Sequence, residues 1–272
     1  MNSMAAWIWT GDGFSECDSV PLTDRGFRYG MSVFESLPVR KNKPLFLLPH
    51  YERLRHACAL SGFSTPLPGI EDFETLLRGI SFDGFARIYV TAGDGDASAR
   101  ETTGRVLVFA EPRTPREKYA DEAYKLALNP DPYVSILGGL KTANYWANLI
   151  ALQKARQRGC DEALLFNVKG ELVSACMANV FVIQNGKIKT PAISGGARAG
   201  VIREWVMRKR PVGQGRITED DLGSADEIFL TSSWLGVMPV ASVESRNLPT
   251  RDTAAQLRVE YEQEISEVAT GE

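Results

Sequence analysis

Lys141 is the residue whose setting most invites chemistry. It lies in 138-GGLKTANYWANLIALQKA-155, between a glycine pair and an apolar, helix-like run, and no Asp or Glu occurs from Pro132 to Cys160. An amine held among apolar neighbours loses solvation of its charged form, so its pKa falls and it becomes a nucleophile for a carbonyl. The plainer alternative is a solvated lysine at a loop-to-helix junction, since lysine is seldom buried. Three other groups could bind an anion. The glycine-rich 194-SGGARAG-200 leads into 201-VIREWVMRK-209. It matches neither a Walker loop nor a dinucleotide fingerprint, yet a helix starting there would offer the N–H groups of Val201 and Ile202 to a phosphate. An ordinary left-handed turn is the competing reading. The run 231-TSS-233 supplies hydroxyls, and Arg53, one turn after His50, is either a solvated helix arginine or a phosphate clamp. His50 and His56 are the only histidines. Lacking a serine or cysteine constellation, they read as structural.

These groups need a frame. Residues 5–20 read as strand, turn and strand about 11-GDG-13, and residues 32–48 as a hairpin about 41-KNK-43. Helices follow over 49–62 and 71–80, the first opened by Pro49 and closed by Gly62. Strands return at 86–92 and 105–111, and the polar 112-PRTPREK-118 marks a domain boundary near residue 114. Beyond it, strands are expected at 123–129, 162–167, 172–183, 187–191 and 226–233, with helices at 144–158, 201–209 and 252–269. The fold class is α+β (mixed α/β), with domains 1–114 and 115–272.

Composition narrows the partners. With 44% apolar residues, 31 Lys+Arg against 34 Asp+Glu and a net charge of -3, nothing attracts nucleic acid or a membrane surface, and a pocket for a small molecule is expected. The four cysteines are far apart, without zinc spacing, which points to reduced thiols in a cytoplasmic protein and to no metal site. No secretory leader or membrane span is read.

The segments 24-DRGFRYGMSVFES-36, 50-HYERLRHA-57, 140-LKTANYWANLIALQKARQRGCDEALLFNVKGE-171, 179-NVFVIQNGKIKTP-191, 199-AGVIR-203 and 227-EIFLTSSWLGVMPV-240 together resemble the class IV pyridoxal-phosphate enzymes. These include branched-chain aminotransferases, D-amino-acid aminotransferases and 4-amino-4-deoxychorismate lyases. The resemblance implies the two-domain fold type IV, D-amino-acid aminotransferase-like, with pyridoxal 5'-phosphate in the interdomain cleft and a homodimer as the assembly. It implies that Lys141 forms the Schiff base with the cofactor. Arg53 and the backbone at Val201 and Ile202 would hold the phosphate, with Ser233 and, more weakly, Ser232 adding hydroxyls. Tyr145 corresponds to a residue that hydrogen-bonds the cofactor's ring oxygen in some members, while Tyr29 and Phe34 look like pocket walls.

Two positions depart from the family pattern. A glutamate usually stands five residues before the asparagine of the N-[VIL]-F motif and keeps the pyridine nitrogen protonated; five before Asn179 is Ser174. Glu171 stands three residues further back, and strand alternation turns it to the opposite face, so it is not expected to substitute without a bulge. Serine hydrogen-bonds the nitrogen without a charge, which weakens the ring as an electron sink. Transamination should suffer more than an elimination ending in an aromatic product. The second departure is Ala92, where D-amino-acid aminotransferases resemble one another in carrying an arginine, with a histidine two residues on. Arg100 could still reach a substrate carboxylate from the loop. The short chain, 176-CMANVF-181 and the 200-GVIR-203 turn favour a lyase that converts aminodeoxychorismate to 4-aminobenzoate and pyruvate in folate biosynthesis. The alternatives are a class IV aminotransferase, for branched-chain or other amino acids, and a non-catalytic relative with a degenerate site.

Overall fold

In 86-ARIYV-90, Ala86, Ile88 and Val90 are buried and Arg87 and Tyr89 are half-exposed, the two-residue period of a strand with one face on a core. The computed structural model describes residues 5–63, 65–99, 103–113, 122–134 and 136–270. The chain divides into two units: Met1–Arg116 with Leu140–Asn144 and Ile265–Glu272, and Glu117–Gly139 with Tyr145–Glu264. The boundary expected near residue 114 lies outside the described residues.

The first unit contains β1 (Ala5–Trp9), β2 (Phe14–Glu16), α1 (Arg25–Tyr29), β3 (Ser32–Arg40), β4 (Lys43–Pro44), α2 (Leu47–Ser61), α3 (Ile70–Gly79), β5 (Gly84–Thr91) and β6 (Val106–Pro112). Its six strands pair antiparallel in the order β2-β1-β6-β5-β3-β4. The hairpin turn uses Lys41 and Asn42, both with positive φ (48° and 60°), the pattern of the tight turns that match strand twist. α3 buries Phe73 and Leu77, one turn apart, against the sheet, and each contributes roughly 2 kcal/mol. Its acidic first turn and Arg78 in the last turn suit the helix dipole. α1 was not anticipated from sequence. It is capped by Asp24, whose carboxylate accepts from Gly26 N at 2.7 Å, and closed by Gly30 in the left-handed region.

The second unit contains β7 (Tyr124–Leu128), α4 (Trp146–Gln157), β8 (Glu162–Phe166), β9 (Leu172–Ala175), β10 (Asn179–Gln184), β11 (Lys187–Pro191), α5 (Val201–Lys209), β12 (Val212–Gly215), α6 (Glu219–Gly223), β13 (Glu227–Ser232), β14 (Gly236–Val243), β15 (Arg246–Asn247) and α7 (Asp252–Thr270). The order is β12-β11-β10-β13-β14-β7-β8-β9, with β15 added to β14. Parallel pairs at β11/β12, β14/β7 and β7/β8 make the sheet mixed. Val180, Val182, Ile228, Leu230, Met238 and Val240 are central to its core.

Three sequence expectations change here. The strand expected over 172–183 is two strands, because Ala175 N donates to Ala178 O at 2.9 Å and closes a turn across Cys176–Ala178. β14 was missed because Gly236 and Pro239 argue against a strand, yet it lies between β13 and β7 with Pro239 opposite Phe229. α6 was also missed, although 218-TEDD-221 carries its capping box: Thr218 N donates to Asp221 and Asp221 N to Thr218. No helix among the described residues is long and apolar enough to cross a membrane.

Candidate active site

In the first unit the Lys141 segment is stitched to β3. Phe34 N donates to Lys141 O at 2.8 Å, Ala143 N donates to Ser32 O at 3.0 Å, and Val33 and Thr142 form an antiparallel bridge. Lys141 is thus not a residue of a loose loop-to-helix junction. Its Nζ sits 3.8 Å from the centroid of the Phe34 ring, and that ring, buried and stacked on Tyr89 at 5.0 Å, is a rigid apolar platform for the amine. Asn144 Nδ2 donates to Gly30 O at 3.2 Å, and a Cβ on Gly30 would lie 2.3 Å from Asn144 Oδ1, so only glycine lets the end of α1 approach the lysine segment this closely. Tyr29, the last residue of α1, is 42% exposed beside Arg28.

Arg53, on α2, is held by a carboxylate that sequence reasoning did not single out. Glu35 is buried on β3 and accepts from Arg53 Nε at 2.7 Å, Arg53 Nη2 at 2.6 Å and His50 Nδ1 at 2.7 Å. Burial pushes the Glu35 carboxyl up, but the charge of Arg53 and the hydrogen bonds from Arg53 and His50 hold it well below the usual carboxylate range. Burial pulls His50 below its ordinary value, more than the hydrogen bond and charge of Glu35 restore. A neutral ring donating from Nδ1 then anchors Glu35. The signal for this trio was present in the quoted 33-VFES-36 and 50-HYER-53. No spacing rule joins a strand glutamate to a helix arginine, so pairing them required the fold.

Further along the first unit, Asp24 accepts from Thr91 Oγ1 at 2.8 Å and Arg105 Nη1 at 2.7 Å, while Arg25 donates to the carbonyls of Ala92 and Ala99. Ala92 is buried, and its carbonyl is fixed by Arg25. Arg100 lies outside the described residues.

The second unit groups the remaining candidates. α5 begins at Val201 after the N-cap Gly200, whose backbone is extended (φ −81°); the glycine-rich run also contains the left-handed turn of the alternative reading, at Gly196 (φ 106°), and no side chain caps the helix start. A Cβ on Gly200 would sit 1.9 Å from Asn179 Oδ1. Asn179 Nδ2 donates to Arg198 O at 2.8 Å, so the asparagine of the N-V-F motif braces the turn that presents the first amides of α5. Val201 and Ile202 are buried. Across the β10–β13 pair, Asn179 faces Thr231, whose buried hydroxyl has no hydrogen-bond partner among the described residues. Ser232 Oγ accepts from Leu235 N at 3.1 Å and so helps form the turn into β14; Ser233 follows in that turn. Tyr145 stands at the start of α4 and accepts a hydrogen bond from Arg198.

Ser174 is half-buried on β9 and pairs with Leu165. The register shifts at the next pair, Phe166 with Leu172, which leaves Val173 as an extra residue. A bulge of the kind that could have re-aimed Glu171 is therefore present. The Glu171 carboxylate is nevertheless engaged elsewhere, accepting from Asn167 Nδ2 at 3.0 Å and facing Arg216 Nε at 3.5 Å.

The residues suit a phosphorylated aldehyde. In the first unit Arg53 is oriented by a buried carboxylate; in the second, the start of α5 has no side-chain cap and serine and threonine hydroxyls lie at the end of β13; each is, by its own chemistry, a group able to donate to a phosphate. Lys141, on a segment hydrogen-bonded to β3 and with Nζ held over the Phe34 ring, is a placed primary amine, the group that condenses with a carbonyl once it has lost its proton.

Comparison with known proteins agrees. The chain is 27% identical over 248 residues to the aminodeoxychorismate lyase of Vibrio harveyi, covering 83% of this chain and 88% of that protein. It is 25% identical over 241 residues to the D-alanine aminotransferase of Listeria monocytogenes serotype 1/2a (strain 10403S), covering 83% of each. Its fold is similar to that of a branched-chain amino acid aminotransferase of T.th. solved with pyridoxamine 5'-phosphate, with a TM-score of 0.83 and 22% identity over 98% of this chain and 94% of that one. The model of the family described as amino-transferase class IV matches residues 32–243. The motifs from Asp24 to Val240 thus point to the family that the comparison finds, and the chain belongs to the class IV aminotransferases.

Proposed function

We propose that this chain is a pyridoxal 5'-phosphate-dependent enzyme acting on a small amino substrate, and that its reaction is the conversion of 4-amino-4-deoxychorismate to 4-aminobenzoate and pyruvate. The observation that carries the cofactor reading is Lys141 Nζ seated on the Phe34 ring, on a segment hydrogen-bonded to the same strand that supplies Glu35 to Arg53. When bound, the cofactor supplies an aldehyde for amines and a ring that draws an electron pair away from the substrate Cα. Arg53, the amides of Val201 and Ile202 and the hydroxyl of Ser233 bind its phosphate. Ser232, already engaged by Leu235 N, contributes less. Tyr145 donates to the ring oxygen and Ser174 hydrogen-bonds the ring nitrogen. Lys141 would anchor the cofactor through its amine and, as a free amine, would hold the substrate Cα proton on Nζ. Tyr29 and Phe34 line the substrate side, and the enzyme acts as a cytoplasmic homodimer.

Ser174 supports the lyase over the aminotransferase. With Glu171 held by Asn167 and Arg216, no carboxylate from β9 steadies a positive charge on the ring nitrogen. Aromatisation of the product drives the lyase reaction without that help. Similarity does not choose between the two reactions, since the chain is about as similar to the D-alanine aminotransferase as to the Vibrio harveyi lyase, and amino transfer is kept as the second reading.

The test compares pyruvate release from aminodeoxychorismate with amino transfer to 2-oxo acids, for the wild type and Ser174→Glu. Pyruvate release should dominate in the wild type, and Ser174→Glu should raise amino transfer. Equal or faster transfer by the wild type would overturn the lyase assignment. Absence of a cofactor absorbance band that is lost in Lys141→Ala would overturn the enzyme reading altogether.

A further inference from the structure

Arg198 is a cation held by an aromatic side chain rather than by a counter-ion. Its guanidinium donates from Nη1 to the Tyr145 hydroxyl and lies 5.4 Å from the centroid of the same ring. Its Nε is buried without a hydrogen-bond partner, and no ion pair with an Asp or Glu is found for it among the described residues. Its backbone is fixed as well, because Asn179 Nδ2 holds the Arg198 carbonyl at 2.8 Å and Gly200 closes against Asn179. Tyr145, Asn179, Arg198 and Gly200 all belong to the second unit.

The chemistry of the pair is directional. Arginine only donates, so the Tyr145 oxygen must accept from Arg198, and the proton of Tyr145 is turned away from it. A phenol that accepts from a cation is in turn a stronger donor through its own O–H. We propose that Arg198 is a positioning residue for Tyr145: it aims and polarises the Tyr145 hydroxyl so that this group donates to the ring oxygen of the bound cofactor and favours its ionised form. The inference rests on the reading that the chain binds pyridoxal phosphate with Tyr145 against that oxygen, and it adds a residue for which the sequence reading had no role.

The consequence is a shift in the cofactor's own titration. Removing a donor that stabilises the deprotonated form raises the apparent pKa of the bound cofactor's absorbance transition. The holoenzyme should be titrated by visible absorbance as wild type, Arg198→Met, Arg198→Lys, Tyr145→Phe and the double variant Tyr145→Phe/Arg198→Met. Arg198→Met should move the midpoint to higher pH by about one unit, with Arg198→Lys restoring part of the shift. Tyr145→Phe should move it the same way, and adding Arg198→Met to Tyr145→Phe should move it no further. An unchanged midpoint in both Arg198 variants with cofactor bound would overturn the inference. So would a full Arg198→Met shift that persists in the Tyr145→Phe background, since Arg198 would then act without Tyr145. Absence of a cofactor band in the wild type would instead overturn the cofactor reading, and the inference with it.

Discussion

Glu35 takes both the Nε and the Nη2 hydrogen bonds of Arg53, at 2.7 and 2.6 Å, while His50 Nδ1 donates at 2.7 Å to Oε2, the oxygen that also accepts from Nη2. Glu35→Ala leaves a partly buried guanidinium without its acceptor, and breaking such a pair costs about 3–5 kcal/mol. Urea unfolding should show a loss in that range. A loss below about 1 kcal/mol would mean that the trio adds little to the fold.

The same trio carries a pH expectation. Because the folded-state pKa of Glu35 is depressed, its stabilisation is fully present above the unfolded value near 4.5 and is lost as pH falls through the folded value. Above about pH 6.5 the trio should therefore contribute no pH dependence, whereas below it the unfolded state protonates a histidine that burial keeps neutral at position 50 in the fold, so stability falls as pH drops. Acid unfolding of the wild type should be steeper than that of Glu35→Gln.

Glu162 behaves in the opposite sense. It is buried at the start of β8 with Oε1 accepting from Ala163 N at 3.2 Å and Oε2 from Met177 N at 3.0 Å, yet burial outweighs these bonds and pushes its carboxyl up from 4.5 to about 7. The folded state then binds a proton that the unfolded state has released, so stability should fall as pH rises from about 4.5 to about 7, by about 3 kcal/mol in total. Glu162→Gln should flatten that slope. Parallel stability curves for the two proteins across that interval would refute the assignment.

Arg53→Lys keeps the charge but cannot make both bonds to Glu35 or present a fork to a phosphate. Under the proposed function it should weaken cofactor retention by about tenfold, as read by equilibrium dialysis. Retention equal to wild type would remove Arg53 from the phosphate site.

Gly200→Ala tests the brace between Asn179 and α5. The new Cβ would meet Asn179 Oδ1 at 1.9 Å, so the asparagine must give up its place beside Arg198 O. A cost of about 1–3 kcal/mol is expected in thermal or urea unfolding. In an Asn179→Ala background the same substitution should cost much less, because its obstacle is gone.

Much of the first unit was legible because its signals are local. Polar and apolar residues alternate along 86-ARIYV-90, and Lys41 and Asn42 make a two-residue turn between strands that pair immediately. The second unit hid β14 behind Gly236 and Pro239 and ran β9 and β10 together, since a strand that is central to a sheet is recognised by its neighbours and not by its own residues.

The site divides in the same way. Lys141 among apolar neighbours and the glycine-led start of α5 are properties of order along the chain, which the sequence alone determined, and the serine at 174 stood out only against the pattern of the family that the chain resembles. The pairing of Glu35 with Arg53, of Asn179 with Arg198 and of Arg198 with Tyr145 was decided only by the tertiary structure. These contacts join residues 18, 19 and 53 positions apart, and side-chain hydrogen bonds at such separations follow from which strands and helices pack together. The sequence therefore singled out the amine that the proposed chemistry uses, while the fold decided how the other candidate groups are paired.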